Sequence, residues 1–297
     1  MLSEISEIKC NPEINKRERA ILADVLSHYD FRVESIDKVR SAYKIGTDKG
    51  CFCLKRVTNG YEKANKSYHI MKHLKENGCD YIAEYFYTKE GKPIIKRKNT
   101  AFYITYWIEG SEVSFSSPDE MQRYSELLAD FHNKSKGFKS PKRFKIRSHI
   151  KKWRKTFTRY LSELVKYKDG IDRLKIKAEF DYIYLSNIDY FRREAELAIK
   201  ILDHSKYNEL CEYYVNEGNI CHDSYYYQNI LVDRNNKLYI VDLESCQYDI
   251  PMSDLGKMIR RILSKKRYGQ CRKKNMSCYW QYWFFRINFG SWVKSVM

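Results

Sequence analysis

The chain has 297 residues, 43% of them hydrophobic, so it is long enough for one large domain or two lobes with a sizeable core. No run of about 18 uncharged apolar residues occurs, and the first twenty residues lack the apolar stretch of a signal peptide. The composition therefore predicts neither a membrane-spanning helix nor a secretory leader.

The net charge of +17 would ordinarily suggest a nucleic-acid partner or an anionic surface. Eleven of the 55 Lys and Arg residues follow Asp254, however, and no acidic residue does. Without those eleven charges the +17 falls to +6, which is unremarkable for a chain of this size. The basicity belongs to the C-terminal tail, so the sequence argues against a nucleic-acid-binding module.

The nine cysteines are scattered, and no histidine or second cysteine pair stands at zinc-binding spacing from them. The one close pair, Cys51 and Cys53, falls in a predicted strand, where alternate side chains point to the same side. We therefore expect free thiols in a reducing cytoplasm rather than disulfides or a metal site.

The first third of the chain has the pattern of a small antiparallel sheet with helices. A turn at Asp48-Lys49-Gly50 separates two strands, and Gly78 stands where a helix would end in a left-handed residue. The predicted elements are a helix over residues 13–30, strands over 32–39, 42–47 and 51–57, a helix over 61–77, and strands over 82–88 and 101–107.

Helices dominate the middle of the chain. Ser117-Pro118-Asp119-Glu120 combines a capping box with proline at the first helical position, and apolar residues at helical spacing follow it. Residues 149–215 are basic, rich in tyrosine and free of proline, with Gly170 as the only break, which predicts further helices. Another helix is expected to open at Asp254.

The most informative stretch runs from residue 220 to residue 256. It places His222 and Asn229 in a loop, followed by two β-rich runs, 230–232 and 238–241, that flank turn-prone residues. An Asp-x-Glu, from residue 242 to residue 244, follows the second run. A loop with an imidazole and an amide thus precedes a hairpin whose exit carries carboxylates.

This order resembles the catalytic region of the aminoglycoside-phosphotransferase-like branch of the protein-kinase fold. The pattern there is His-x-Asp, four residues and Asn, then Ile-Asp-Phe-Asp/Glu. His222 and Asn229 keep the spacing, and Val241-Asp242-Leu243-Glu244 matches the second half. The resemblance implies an α+β, bilobal protein-kinase-like fold with a small antiparallel-sheet N-lobe over residues 1–107. A mostly helical C-lobe would cover 108–266, followed by an atypical tail over 267–297.

Further short motifs, in the right order, resemble the start of CotS-type spore coat proteins, which belong to the same superfamily. They are Leu26-Ser27-His28-Tyr29-Asp30-Phe31, Tyr43-Lys44-Ile45-Gly46 and Cys53-Leu54-Lys55-Arg56. The resemblance covers roughly residues 25–266. The chain is therefore identified as a CotS-type protein, expected in the cytoplasm and then in the coat of a bacterial spore.

The resemblance also implies a site for ATP and Mg²⁺. Asn229 and Asp242 would hold the magnesium on the nucleotide phosphates, with oxygen ligands of the kind that this ion prefers. Lys55 would neutralise the phosphates from the sheet. Glu62, in the helix that follows, is the candidate for the carboxylate that pairs with this lysine.

Two more segments receive roles from the resemblance. Tyr106-Trp107-Ile108-Glu109-Gly110 is similar to the interlobe hinge, where backbone groups of Trp107 and Ile108 would bind an adenine edge. Taken alone, the segment is a strand end with a turn glycine. Asp254 would support the catalytic loop through hydrogen bonds and take no part in the chemistry.

One position departs from the family pattern. The catalytic base of the family falls two residues after His222, where this chain has Ser224. A serine hydroxyl does not accept a proton near neutral pH. Asp223 lies one position early in the catalytic loop and would compensate only if the loop follows a different path.

The tail differs in composition from everything before it. Residues 278–297 contain eight aromatic side chains and no acid. Two accounts remain open for this segment. One is an anchor for a membrane surface or the spore coat, since Trp and Arg suit interfaces. The other is a reading-frame change that replaced the usual C-terminal helices, which would leave apolar surface uncovered.

These observations leave two main hypotheses. The first is a CotS-type coat protein that keeps a nucleotide pocket but lacks efficient turnover because of Ser224, with a role in coat assembly among other coat proteins. The alternative is an active ATP-dependent small-molecule phosphotransferase, similar to aminoglycoside or choline kinases. Phosphoryl transfer depends heavily on positioning and electrostatics, so Asp223 or a water would then replace the missing base.

Overall fold

The computed structural model describes residues 9–10, 13–115 and 117–268, so most of the basic, aromatic tail lies outside the described residues. The described chain divides into two compact units. The first comprises the residues up to Ile146 together with Tyr227–Cys246, and the second comprises Arg147–Tyr226 and the residues from Gln247 onwards. The lobe boundary at residue 107 stays a prediction.

The elements alternate between strands and helices early in the chain, and helices follow in its middle. Within the described residues the strands are β1 (Lys9–Cys10), β2 (Val33–Val39), β3 (Ala42–Thr47), β4 (Gly50–Thr58), β5 (Tyr85–Phe86), β6 (Ile95–Arg97), β7 (Thr100–Tyr106), β8 (Gly110–Glu112), β9 (Ile220–Cys221), β10 (Ile230–Asp233), β11 (Leu238–Ile240) and β12 (Gln247–Tyr248). The α-helices are α1 (Lys16–Leu26), α2 (Tyr61–Glu76), α3 (Pro118–Ser135), α4 (Trp153–Asp172), α5 (Glu179–Asp203), α6 (Tyr207–Glu217) and α7 (Met252–Tyr268).

The main sheet of the first unit runs in the order β1-β2-β3-β4-β7-β5, and β6 also pairs with β7. Its pairs are antiparallel except β1 with β2. Side chains alternate between the two faces of β4. Phe52 and Leu54 are buried in the core, while Cys53 and Lys55 point the other way. Helix α1 packs its apolar stripe into the same core as Phe52 and Leu54.

A second, three-stranded sheet is formed by the hairpin β10–β11 with β8 beside it. The hairpin register pairs Ile230 with Ile240 and Val232 with Leu238, as the two β-rich runs predict. Gly110 begins β8 instead of making a turn, and a side chain there would place its Cβ 2.7 Å from the carbonyl oxygen of Val232. Glycine at this position therefore allows the close approach of β8 to β10.

Helices α4 to α7 and the short pair β9–β12 form the second unit. Its core gathers residues from α5, α6 and the segments before α4 and α7, namely Ile150, Leu202, Tyr207, Cys211 and Ile250. Trp153 stacks on Tyr207 at 5.2 Å between ring centroids and packs against the same core. The sequence places the break between helices at Gly170, but this glycine lies inside α4 and the break follows at residues 173–178.

Most local predictions from the sequence are confirmed. The capping box begins α3, since Glu120 N–H donates to Ser117 Oγ and Ser117 N–H donates to the Glu120 carboxylate. Gly78 follows α2 with φ of +76°. The six cysteines whose side chains are described are free. The strand predicted over residues 82–88 is shorter, because Thr88 accepts the Lys92 N–H in a turn and Ile82 bridges to Ile240.

Among the residues that α1 buries, Glu18 alone is charged. Tyr43 donates a short hydrogen bond to its carboxylate, and Lys38 Nζ lies 3.4 Å away. The Tyr43 hydrogen bond is the main cause that holds the pKa of Glu18 below its ordinary value of 4.5, and Lys38 adds to it against burial. Ionised Glu18 therefore helps to fix α1 on the sheet.

We expect Glu18→Gln to lower the free energy of unfolding at neutral pH by about 1.5–3 kcal/mol, the range for hydrogen bonds to charged groups. Because the folded pKa is depressed, this stability is present above the unfolded pKa and is lost as pH falls through the folded value. Urea unfolding at neutral pH and at about pH 3 should thus show a difference that shrinks in acid.

The control for this experiment is Glu34→Gln, whose exposed carboxylate lies 3.5 Å from Arg32. A surface pair of this kind should contribute less than about 1 kcal/mol at either pH. An equal loss for Glu18→Gln at both pH values would show that packing, and not ionisation, accounts for the effect.

Candidate active site

The site of the first unit is built around Lys55, in the middle of β4. Its side chain is 18% exposed, and its Nζ lies 2.8 Å from Asp242 Oδ1 and 3.9 Å from Glu244 Oε1. Burial opposes the charge on Lys55, but Glu244 and Asp242 together raise the pKa of this lysine above its ordinary value. Lys55 is therefore an ammonium ion between two carboxylates.

Asp242 lies two residues after the end of β11 and adopts the left-handed conformation, with φ of +70°. A short 3-10 helix, Leu243–Ser245, begins after it. Asp and Asn are the side-chain-bearing residues that tolerate this conformation best, so the backbone and the chemistry favour the same residue here. The hairpin also fixes Asn229, whose carbonyl accepts the N–H of Val241 at 3.0 Å.

Glu244 is held from the sheet. The Tyr103 hydroxyl donates to Glu244 Oε1 at 2.5 Å, and Tyr103 lies directly opposite Lys55 in the β4–β7 register. The ring of Tyr103 stacks on Tyr85 with centroids 4.6 Å apart and planes 15° apart. Burial is the main cause that raises the pKa of both tyrosines, which keeps the hydroxyls protonated as donors.

A cavity of about 290 Å³ lies beside this cluster within the first unit. Lys55, Asn229 and Asp242 line its charged end. Arg40 and Glu112, which form an ion pair, also line the cavity. Its apolar lining comes from β2, β3, the segment before β5, the hinge segment and the hairpin, and includes Val39, Ala42, Ile82, Trp107, Ile108 and Ile240. An apolar slot with a lysine and oxygen ligands at one end fits a flat base at the walls and a Mg²⁺-bound phosphate at the charged end.

Trp107 and Ile108 follow the end of β7. Trp107 N–H donates to the Cys51 carbonyl at 3.1 Å, which continues the sheet beyond the end of β7. Lys44 Nζ sits 5.0 Å from the centroid of the Trp107 ring and 2.7 Å from Glu109. Trp107 and Ile108 both line the cavity, so both remain candidates for contact with a base.

Glu62 is not among the carboxylates that lie near Lys55. It lies exposed in the first turn of α2, and the part of α2 that lines the cavity presents Ser67 and Met71 instead. The helical period explains the difference, because Ser67 and Met71 are one turn apart on a buried face that Glu62 does not share. The two carboxylates near Lys55 come from the chain after the hairpin, Asp242 and Glu244.

The loop with His222, Asp223 and Ser224 belongs to the second unit. Asp254, fully buried in the first turn of α7, accepts the N–H of His222 at 2.6 Å and that of Asp223 at 2.7 Å. Asp254 therefore supports the loop through its backbone, as the resemblance implies. Ser224 follows in the same loop, partly exposed.

Asp223 adopts φ of +67°, and its carboxylate has two partners. Gln247 Nε2 donates to it at 2.7 Å, and Lys257 of α7 forms a close ion pair with it. Burial opposes the charge of Lys257, but the hydrogen bond and charge of Asp223 raise its pKa above the ordinary value. Within the second unit, Asp223 is thus a charge-paired carboxylate.

Sequence reasoning missed several of these partners. Tyr103 has no motif, and only the strand register reveals that it faces Lys55. Glu244 is part of the Asp-x-Glu pattern, so a signal for it was present. Lys257 stands three residues after Asp254, on the helix that supports the loop, which is the sole sequence hint for its role. Gln247 carries no signal of this kind.

The antiparallel sheet with a central lysine, the hairpin with Asn229 and Asp242, and the loop supported by Asp254 define a protein of the kinase-like phosphotransferase fold. The profile of the family described as "Spore coat putative kinase YutH" matches residues 23–283. The chain belongs to this family of spore coat proteins. The match ends inside the basic, aromatic tail, so the resemblance extends further than the motifs up to residue 266 indicate.

Known relatives agree with this assignment. The chain is similar to spore coat protein S of Bacillus subtilis (strain 168), at 23% identity over 84% of this chain and 72% of that protein. In structure it is similar to an aminoglycoside phosphotransferase from Alicyclobacillus acidocaldarius, with a TM-score of 0.72 and 20% identity, over 82% of this chain and 71% of that one.

A further neighbour is amicoumacin kinase hAmiN, in a complex with AMP-PNP, Ca²⁺ and Ami. Its TM-score is 0.55 at 12% identity, over 94% of this chain and 78% of that one. These neighbours confirm the α+β, bilobal kinase-like fold expected from the sequence. Of the helices that the structure describes, none is both long and apolar enough to cross a membrane.

We expect Asp254→Asn to destabilise the protein by about 1–3 kcal/mol, because an amide offers one acceptor oxygen for two N–H groups, one buried and one partly buried. Asp233→Asn is the matched control. Asp233 accepts two N–H groups, of Asn235 and Lys237, on a single exposed oxygen that an amide also supplies. Equal, small losses in the free energy of unfolding for both variants, measured by urea unfolding, would contradict the supporting role of Asp254.

Proposed function

We propose that this spore coat protein binds ATP with Mg²⁺ in the cavity of its first unit and lacks efficient phosphoryl transfer. The observation that carries the proposal is the contact between Lys55 and Asp242 at the edge of a cavity with several apolar lining residues. A buried lysine beside a metal-type carboxylate is the arrangement that phosphotransferases use for nucleotide phosphates.

Each part of the cavity has a task in this proposal. Trp107 and Ile108 pack against the base, and backbone groups of the hinge bond its edge. Lys55 binds the phosphates, and Asn229 and Asp242 provide oxygen ligands for the cation. The bound cation would offset the negative charge of the phosphates. The nucleotide analogue and divalent cation in the amicoumacin kinase complex support this assignment by analogy.

Two features weigh against efficient turnover. Ser224 stands at the position where the family has its catalytic base, and its hydroxyl does not accept a proton near neutral pH. The neighbouring Asp223 is already engaged, because its carboxylate forms an ion pair with Lys257 and accepts a hydrogen bond from Gln247. The loop thus keeps its shape while its side chains suit a structural role better than proton transfer.

The coat family supports a role in the assembly of the spore coat, with other coat proteins as partners. In this proposal the chain is made in the cytoplasm and then incorporated into the coat. A bound nucleotide would stabilise the folded state during that process, because a ligand of the native state stabilises it by mass action. The alternative, an active small-molecule phosphotransferase, requires Asp223 or a water to replace the missing base.

The first test is a thermal shift with Mg²⁺-ATP. At a ligand concentration of about 100 times Kd, binding should stabilise the fold by about 2.7 kcal/mol and raise Tm by several degrees. The shift should be lost in EDTA and in Asp242→Asn, since asparagine suits the left-handed backbone but removes the charge. Asp233→Asn, at the end of β10 and away from the lining of this cavity, should keep the full shift.

A well-folded wild-type chain with no shift at millimolar Mg²⁺-ATP would overturn the nucleotide site. A shift that survives in Asp242→Asn would instead place the nucleotide outside this cavity.

The second test separates the two functional candidates. We expect ADP formation in the presence of aminoglycosides, choline and related hydroxyl acceptors to stay at the level of Asp242→Asn. Asp223→Asn, which suits φ of +67°, should then cause no further loss. Turnover above that background that Asp223→Asn abolishes would contradict this expectation and support an active phosphotransferase.

A further inference from the structure

Lys55 lies between two carboxylates that differ in their surroundings. Asp242 is the nearer, at 2.8 Å, and its side chain is 33% exposed at the cavity. Glu244 is 3.9 Å away, and its side chain is only 19% exposed. The more open carboxylate is therefore the one that a cation can reach from the cavity, and it is also the closer partner of the lysine.

Glu244 is fixed where it stands by the sheet. Tyr103 donates a hydrogen bond to it at 2.5 Å and faces Lys55 across the β4–β7 pair. The stack of Tyr103 on Tyr85 holds that hydroxyl in place. Glu244 is thus an anchored anion on one side of the lysine, independent of whatever binds to Asp242.

Helix α2 supplies no substitute for Glu244. Its two acidic residues are Glu62 and Glu76, and neither lines the cavity. Glu62 is exposed in the first turn, and Glu76 pairs with Lys72 at 3.8 Å near the end of the helix. The face of α2 toward the cavity presents Ser67 and Met71. The counter-charge of Lys55 comes entirely from the segment after the hairpin, within the residues that the structure describes.

A buried ammonium needs a compensating charge, because isolation from water is costly for an ion. If Asp242 binds a divalent cation, its carboxylate no longer neutralises Lys55 alone, and the positive cation repels the ammonium group. We propose that Glu244, held by Tyr103, is the positioning residue of Lys55 and accepts the lysine when a divalent cation occupies Asp242. This inference rests on the assignment of Asp242 to the cation in the proposed function.

The test is a double-mutant cycle on cation affinity, with Mn²⁺ alone as the probe and free Mn²⁺ measured by electron paramagnetic resonance. The four full-length proteins are wild type, Glu244→Gln, Lys55→Met and the double variant. Without Glu244, the lysine has only Asp242 as a partner and competes with the cation for it. Without Lys55, that competition disappears, and only the lost charge of Glu244 remains.

We expect the loss of Mn²⁺ affinity caused by Glu244→Gln to be about tenfold larger with Lys55 present than in the Lys55→Met background. Tyr103→Phe, which removes only the hydroxyl donor, should give a smaller loss with the same dependence on Lys55. It also keeps the inference testable if Glu244→Gln does not fold. Glu62→Gln is the control and should leave Mn²⁺ affinity unchanged.

Two results would overturn the inference in distinguishable ways. Equal losses in both lysine backgrounds would show that Glu244 is a direct ligand of the cation, while the cation site itself would stand. Absence of Mn²⁺ binding by the folded wild-type chain would remove the role of Asp242 and with it the metal part of the proposed function.

Discussion

The ion pair between Lys55 and Asp242 is the interaction on which the arrangement of the first unit depends. It joins the middle of the main sheet to the exit of the hairpin, two segments 187 residues apart in sequence. Lys55 is largely buried, so its positive charge needs a negative charge nearby. The carboxylates that follow the hairpin supply it. This connection brings the charged groups of the sheet and the hairpin to one cavity, which Asn229 also lines.

Local signals in the sequence predicted much of this fold. The turn at 48–50, the capping box before α3 and the hairpin around 233–237 each have a residue pattern with a physical cause, and each appears in the structure. The candidates Lys55, Trp107, Ile108, Asn229 and Asp242 line one cavity, as their motifs suggested. Their roles in binding stay predictions.

The remaining features depend on packing that no local pattern records. Glu62 was expected beside Lys55 because a carboxylate is needed there, but the rotation of α2 turns Ser67 and Met71 toward the cavity. Tyr103 faces Lys55 because of the strand register, and a shift of that register by one residue would turn its side chain to the opposite face of the sheet. Gly110 was expected in a turn, whereas it permits two strands to approach closely. In each case the deciding partner lies far away along the chain.

Asp254 supports its loop through the backbone, and this affects how such a site can change during evolution. Its carboxylate binds the main-chain N–H groups of His222 and Asp223, and neither bond involves the side chain at residue 224. These two bonds are therefore independent of which side chain stands there. Under the proposed function, a serine at this position removes the proton acceptor and leaves both main-chain bonds in place. The side chain at residue 224 and the backbone support of the loop can therefore change independently during evolution.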